Sequence, residues 1–455
     1  MSFSLAGLAV LGLAGREVGN LLVAPATARG SLLERAAVPI ASDGAPAPVS
    51  SGPAEPSASP VPGASPVPSA SPVPGPSPGP TASPTTSPAS PSPGVTQPAA
   101  GATARPSAAP SPTRTATLSG TRSDRTQLRL RTTITGNIAP KSVRSSGNGL
   151  VSAHNMMYRH SVTLYDADRM RLVATIPDRV RLSTLGYPEY PEPVSGAPVE
   201  GAFSPDGRYL YVSNYAMYGP GFGEEGTDTC RPSDGYDEGF VYRIRLRDNR
   251  IDAAYRVGVV PKVVEVSADG RLLLVSNWCS WDVSVVDLER QREVRRVPIG
   301  AYPRGIVITG DSRRAYIAQM GSSRVVDLDL RTWRQRSISV GMGPRTVLLS
   351  PDARRLYSSL NAEGRVIAVD PRTRRVLGSA RTGAAPRSMD IAPDGASLYV
   401  VNYRDNTLSK IATDSMRVTQ TVNTCERPIG VTYEPTQDRV WVACYSGTIE
   451  VYDNR

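Results

Sequence analysis

Apolar and polar positions alternate over short runs, and the runs come in sets of four. After Pro303, Arg304 to Thr309 reads as a first strand, GDSRR as a turn and Ala315 to Gln319 as a second strand. MGSS is then a loop, RVVDLDL (Arg324 to Leu330) a third strand, RTW a turn and RQRSISV a fourth strand. The runs are rich in Val, Ile and Tyr and bounded by Gly, Pro, Asp and Ser, as short strands are. No segment sustains a helical period.

The set of four repeats. VGVVPKVVEVSADGRLLLVSN, IGAYPRGIVITGDSRRAYIAQ, VGMGPRTVLLSPDARRLYSSL, TGAAPRSMDIAPDGASLYVVN and NTCERPIGVTYEPTQDRVWVAC begin alike, and their prolines Pro261, Pro303, Pro344, Pro386 and Pro428 lie 42, 41, 42 and 42 residues apart. Four strands per such period predict a β-propeller blade. ITGNIAPKSV and VSGAPVEGAFSPDGRYLYVSN add Pro140 and Pro198, which makes seven blades. The gaps of 58 residues from Pro140 to Pro198 and 63 from Pro198 to Pro261 exceed the period. The excess is placed at Asp178 to Val194 and at Tyr215 to Gly239, the latter directly after a second strand.

LYVSN (Leu210 to Asn214), LLVSN (Leu273 to Asn277) and LYVVN (Leu398 to Asn402) follow SPDG, SADG and APDG. These motifs resemble the YVTN-type repeat of YncE-like β-propellers, over roughly Thr126 to Arg455. The resemblance implies seven blades and an exported protein, and it implies no ligand. Cys425 stands where a repeat has Gly, Cys444 where it has Asn, and Ala412 where it has Asp.

The last blade shows strands at Ile429–Glu434, Arg439–Cys444 and Thr448–Tyr452 but no fourth. QLRLRTTI (Gln127 to Ile134) is a strand without a blade, so it is expected to complete the last one and close the ring. Closure removes two open edges, which are sites of aggregation. The expected fold is all-β: a seven-bladed β-propeller of four-stranded antiparallel blades over residues 123–455, preceded by a disordered Pro/Ser/Ala-rich segment. Residues 31–122 form that linker, densest from Ala45 to Thr115, where Pro with Ser, Ala and Gly buries no core and favours extended polyproline II. Residues 1–30 read as a signal peptide or an apolar N-terminus. The apolar run Leu5 to Gly15 is too short to cross a bilayer and ATA at Ala26 to Ala28 suits cleavage, but no base precedes the run and Arg16-Glu17 interrupts it.

The 455 residues carry a net charge of +10, almost all of the bases being arginine. A GC-rich genome writes arginine for lysine, so the excess says little about partners. Clustered bases interleaved with exposed aromatics, which a nucleic-acid reading requires, are absent from the pattern. Cys230, Cys279, Cys425 and Cys444 allow three pairings. In a propeller the loops after second strands and before first strands share one face. That geometry favours Cys230–Cys279 between adjacent blades and Cys425–Cys444 within the last hairpin, against four reduced thiols. No C-x-x-C spacing suggests a metal, and no cofactor motif stands in a strand–helix context.

The residue after the anchor proline is Lys141, Lys262, Arg304, Arg345 or Arg387 in five blades and Val199 or Ile429 in two. First strands line the channel, so these five are expected to ring one mouth. Loops on the same face carry Tyr158, His160, Trp278, Trp281, Tyr403 and Tyr445. Cations flanked by aromatic walls suit an anionic or carbohydrate-like ligand. The competing reading is internal pairing with Glu200, Glu265, Asp390 or the acidic loop Glu224–Glu238. His154 and His160 are the only histidines. A propeller lactonase or lyase would need one of them as base or metal ligand. The recurring Asp and Asn positions read as turn-fixing. The expected function is that of a binding or interaction module of the cell envelope: monomeric, without cofactor, tethered to membrane or wall through its N-terminus. An enzyme and a purely structural envelope protein are the alternatives.

Overall fold

The computed structural model describes residues 121–455, Tyr158 excepted. The signal peptide expected over 1–30, and all but the last two residues of the linker expected over 31–122, lie outside them.

The described residues form seven antiparallel sheets, the blades of one ring. The innermost strands are Ser142–Ser145, Pro193–Phe203, Pro261–Val266, Pro303–Ile308, Pro344–Leu349, Pro386–Ile391 and Pro428–Glu434. Each packs against the innermost strands of the two neighbouring blades, and the seventh against the first. Second strands are buried along most or all of their length, wholly so for Ser397–Asn402, while outer strands such as Arg417–Asn423 alternate toward solvent. The core lies between blades: Val283 and Val285 of the third meet Ile306, Ile317 and Leu328 of the fourth.

The motif residues fix the ends of strands. Ser267 Oγ donates to Asp269 Oδ1 at 2.6 Å and accepts the Leu272 amide at 2.9 Å, which holds the turn between first and second strands. Asn277 Nδ2 donates to Asp282 Oδ1 and Ser284 Oγ, bracing the next hairpin. Asp329 Oδ1 accepts the Arg331 and Thr332 amides after the third strand.

The strand Leu128–Ile134 pairs antiparallel with Thr448–Asn454, from Leu128 opposite Asn454 to Ile134 opposite Ile449. It supplies the outermost strand of the seventh blade, as expected. A second lock sits beside it. The fully buried Lys410 donates from Nζ to Thr126 O (2.7 Å), Thr126 Oγ1 (2.7 Å) and Asn454 Oδ1 (2.8 Å). Three oxygens satisfy the three donors of an ammonium.

Cys230 is bridged to Cys279 and Cys425 to Cys444, with Cα separations of 5.2 and 6.0 Å. Two disulfides suit an oxidising, extracytoplasmic compartment.

The second blade differs from the sequence reading. Its second strand does not end at Asn214 but runs over Tyr209–Tyr218, because Ser195 and Gly196 extend the first strand backward to pair with Tyr218 and Met217. The inserted segment before it adds a short strand, Val180–Arg181, to the edge of Pro193–Phe203. The two insertions pack on one another, with Tyr190 stacked on Phe222 at 4.7 Å.

Candidate functional site

The anchor proline is positioned by strained backbone. Val260, Tyr302, Ala385 and Arg427, each directly before an anchor, have φ of 54°, 59°, 55° and 55°. A β-branched residue rarely adopts such a value, so Val260 marks a held conformation. In six blades the anchor is followed by a register shift against the second strand, as between Pro303 and Ile306 and between Pro344 and Val347, whereas the first blade shows none. Such bulges re-aim side chains. A hydroxyl from the preceding blade then holds the carbonyl of the residue after the proline. Ser142 donates to Val199 O (2.8 Å), Ser276 to Arg304 O (2.8 Å), Thr346 to Arg387 O (2.7 Å) and Ser213 to Lys262 O.

The five cations do form one ring, and it is buried: Lys141, Lys262, Arg304, Arg345 and Arg387 are 5–9% exposed. Among the described residues one carboxylate forms ion pairs with them, and a second, Asp228, acts on Lys262 and Arg387 from farther away. Glu200 lies 3.6 Å from Lys141 Nζ and 3.3 Å from Arg304 Nη2. Burial pushes the Glu200 pKa up, but Lys141 and Arg304 outweigh it and hold the carboxyl below its usual value. Lys262 Nζ sits 3.9 Å from the Tyr215 ring centroid and 5.3 Å from that of Trp278. The Arg387 guanidinium lies 3.5 Å from the centre of Tyr403, and Arg345 Nη1 is 3.8 Å from Met320 Sδ. Arg304 Nη1 and Arg387 Nε are buried without a hydrogen-bond partner among the described residues. Desolvation, reinforced by the neighbouring cations, drives the Lys141 ammonium well below its ordinary pKa and lowers Arg345; desolvation also lowers Arg387 against the opposing phenols of Tyr445 and Tyr403, and takes Lys262 to about 7 against the Asp228 carboxylate. Burial raises the Tyr445 phenol to about 12 against the pull of Arg387 and Arg345.

The mouth that the five cations were expected to ring is closed on their own face. The face that carries the ring is covered by an apolar cap of Met156, Met157, Tyr215, Val260, Trp278 and Met320. The cap forms because the insertion after Tyr209–Tyr218 folds inward and is bridged at Cys230 to Cys279. Trp278 is 3% exposed, donates Nε1 to Asp228 O (3.1 Å) and stacks on Tyr302 at 4.6 Å. Its indole belongs to the cap, not to a free stacking wall. Tyr403 and Tyr445 meet edge to face at 5.9 Å beside Arg387. Trp281 packs on Tyr302 and His160 on Tyr218, and neither meets a ring cation. Tyr158 lies outside the described residues. Of the acids proposed as partners, among the described residues Glu200 forms ion pairs with the ring, and Asp228 of the acidic loop acts on Lys262 and Arg387 at longer range. His154 is buried, with Nδ1 2.7 Å from Ser142 Oγ, and desolvation lowers its pKa to about 4. That makes it a neutral hydrogen-bonding group of the wall. Among the described residues no three of His, Cys, Asp and Glu cluster to hold a metal.

The ring is reached from the other end of the channel. A cavity of about 80 Å³ runs from Arg304 and Arg345 past Glu200 to Arg144, Glu265 and Asp390. One water needs about 10–15 Å³, so several waters or one small molecule fit. Arg144, whose side chain is 43% exposed, forks onto Glu265 at 3.1 and 3.2 Å. Asp390 accepts the Ile391 and Tyr433 amides and the Thr432 hydroxyl. Arg144, Tyr215 and Met320 escaped the sequence reading. The repeated Ser before the Asn of LYVSN and LLVSN was the visible trace of the hydroxyl clamps.

No family model matches the chain. A stretch of 52 residues is 38% identical to "Antigen Lp49" of Leptospira interrogans serogroup Icterohaemorrhagiae serovar copenhageni. It spans 11% of this chain and 11% of that protein's length. Kuenenia stuttgartiensis hydrazine synthase superposes with a TM-score of 0.55 at 18% identity, covering 70% of this chain and 96% of the other. This is a likeness of fold. The chain is a seven-bladed β-propeller.

Proposed function

We propose that this propeller is an exported binding module of the cell envelope and that its channel holds a small anionic ligand at the cation ring. One observation carries the reading: among the described residues five buried cations have ion pairs to one carboxylate, Glu200, with Asp228 acting at longer range, and two of their N–H groups have no hydrogen-bond partner. Buried polar groups are otherwise hydrogen-bonded, and each exception calls for an explanation. A bound anion would supply the acceptors and the charge. A carbohydrate is less well served, because the aromatic faces near the ring are already occupied by one another and by the cations. The two disulfides, the YVTN-type motifs and the partial likeness to a leptospiral antigen support the exported setting.

The test is calorimetric titration of the full chain with small carboxylates and inorganic oxyanions, repeated on the R304A/R345A/R387A triple variant. Saturable binding that the folded triple variant loses supports the reading. Equal binding by both proteins rejects it.

A further inference from the structure

The charge of the folded domain is not spread over its blades. From Pro303 to Arg381, the fourth and fifth blades, the chain carries 15 arginines, no lysine and six acids; the rest of residues 121–455 carries 31 bases and 31 acids. A compositional preference for arginine acts alike on seven like repeats and does not gather the excess on two neighbours. Arg304 and Arg345 belong to the channel ring, and ten of the other 13 arginines are exposed. The six acids are held within their own blades. Asp311, Asp329, Asp352 and Asp370 accept amides of the turns they stand in, Asp327 pairs with Arg314, and Glu363 with Arg365. The turns after first strands and after third strands lie at one end of a blade, where Leu330 N donates to Arg313 O. That end of the two blades presents Arg331, Arg334, Arg374 and Arg375, all exposed, and none of the four forms an ion pair among the described residues.

An apolar pair stands directly beside these arginines. Val376 and Leu377 open the outer strand of the fifth blade and are 57% and 51% exposed. Alternation would turn one of two neighbours inward, but the register shifts between Ala368 and Val369, which leaves Leu377 as an unpaired bulge and both side chains outward.

We propose that this end of the fourth and fifth blades docks on the surface of an anionic phospholipid bilayer. Guanidiniums without carboxylate partners are met by lipid phosphates, which their planar forks match. Val376 and Leu377 then enter the boundary between headgroups and acyl chains, where apolar side chains flanked by bases are favoured. A nucleic acid is less well served, because stacking needs exposed aromatic faces. Of the three aromatics in these blades, Tyr316 and Tyr357 are buried and Trp333 is half-buried against Arg295 of the third blade. The surface is separate from the channel, so this inference and the anion reading stand or fall independently.

The experiment is sedimentation of the full chain with vesicles of phosphatidylcholine alone and of equal parts phosphatidylcholine and phosphatidylglycerol, at low and high salt. The expected result is binding at least about tenfold tighter to the mixed vesicles, weakened by salt. The apolar run Leu5 to Gly15 carries no charge and is common to every variant, so the difference between the two vesicles reads the arginines. R334Q/R374Q/R375Q is expected to lose at least about tenfold in affinity for the mixed vesicles. R129Q/R171Q/R417Q, which removes three exposed arginines from other blades, leaves it unchanged. V376S/L377S lowers the binding that survives high salt, whereas L172S/V173S, the equally exposed pair across the ring on the first blade, does not. Equal binding to the two vesicles overturns the inference, as does a folded R334Q/R374Q/R375Q that binds like wild type. A chain that ignores both vesicles but binds heparin through the same three arginines also overturns it, and assigns the surface to a soluble anionic polymer.

Discussion

Ser276 and Arg304 belong to different blades, yet the hydroxyl of the first donates to the backbone carbonyl of the second at 2.8 Å. The bond fixes a ring position through its backbone and leaves the guanidinium free to face the channel. Ser276→Ala is expected to lower stability by about 1–2 kcal/mol, the cost of leaving a buried acceptor unmet. Urea unfolding of the two proteins measures this, and an unchanged midpoint would remove the clamp from the account.

The closing strand predicts a graded response to truncation. A chain starting at Ser123 keeps every contact of the seventh blade. One starting at Gln127 leaves Lys410 Nζ with only Asn454 Oδ1. One starting at Asn137 loses Leu128–Ile134 altogether. Melting temperature is expected to be near wild type for the first and clearly lower for the second, with aggregation of the third. Equal melting of all three would refute closure by this strand.

Each disulfide is expected to stabilise by roughly 2–4 kcal/mol. Cys230→Ser with Cys279→Ser also frees the insertion that caps the ring, so amides of the cap should exchange faster with solvent. Cys425→Ser with Cys444→Ser should leave the cap unaffected. Non-reducing peptide mapping checks the pairings, and hydrogen exchange separates the two effects.

Glu200→Gln removes the carboxylate that pairs with Lys141 and Arg304 while keeping its shape. Breaking a buried pair from one side costs about 3–5 kcal/mol. A bound anion would compensate, so sulfate should raise the melting temperature of Glu200→Gln more than that of wild type. The same thermal increment in both would separate Glu200 from the ligand site.

The pH dependence follows from Lys262. Its folded pKa of about 7 lies below the ordinary lysine value, so between about pH 7 and 10 the unfolded chain binds more protons than the folded one. Stability should therefore rise with pH across that window, and Lys262→Met should flatten the rise. Anion affinity should move the other way, falling as Lys262 loses its charge above about pH 7. Melting curves and calorimetry at stepped pH give both signs.

The ring of cations was legible because a fixed offset from a repeated proline puts one register in five blades. Burial of the ring was not. The cap depends on how Tyr215 and Cys230 of a long insertion fold back over Trp278 and Met320, and no short-range pattern encodes that. The second tier of the channel was hidden by phase. Counting alternate residues from Arg304 or Lys262 points three and five positions past the proline, whereas Arg144, Glu265 and Asp390 stand four past it. A bulge after the anchor shifts the alternation by one in the blades of Glu265 and Asp390, and a bulge leaves no mark in composition.

Thr126 and Asn454, which share a hydrogen bond beside the closing strand, are 328 residues apart in sequence. A linear array of repeats can unzip one unit at a time from a free end. Here the first strand and the last are fastened to each other, so no blade is terminal and none can peel off alone. On the ribosome, Leu128–Ile134 must wait unpaired while six blades are made, an exposed edge throughout that interval. Once Thr448–Asn454 arrives, unfolding must break the ring somewhere before any blade is released. Slow assembly and slow disassembly are thus two results of one seam.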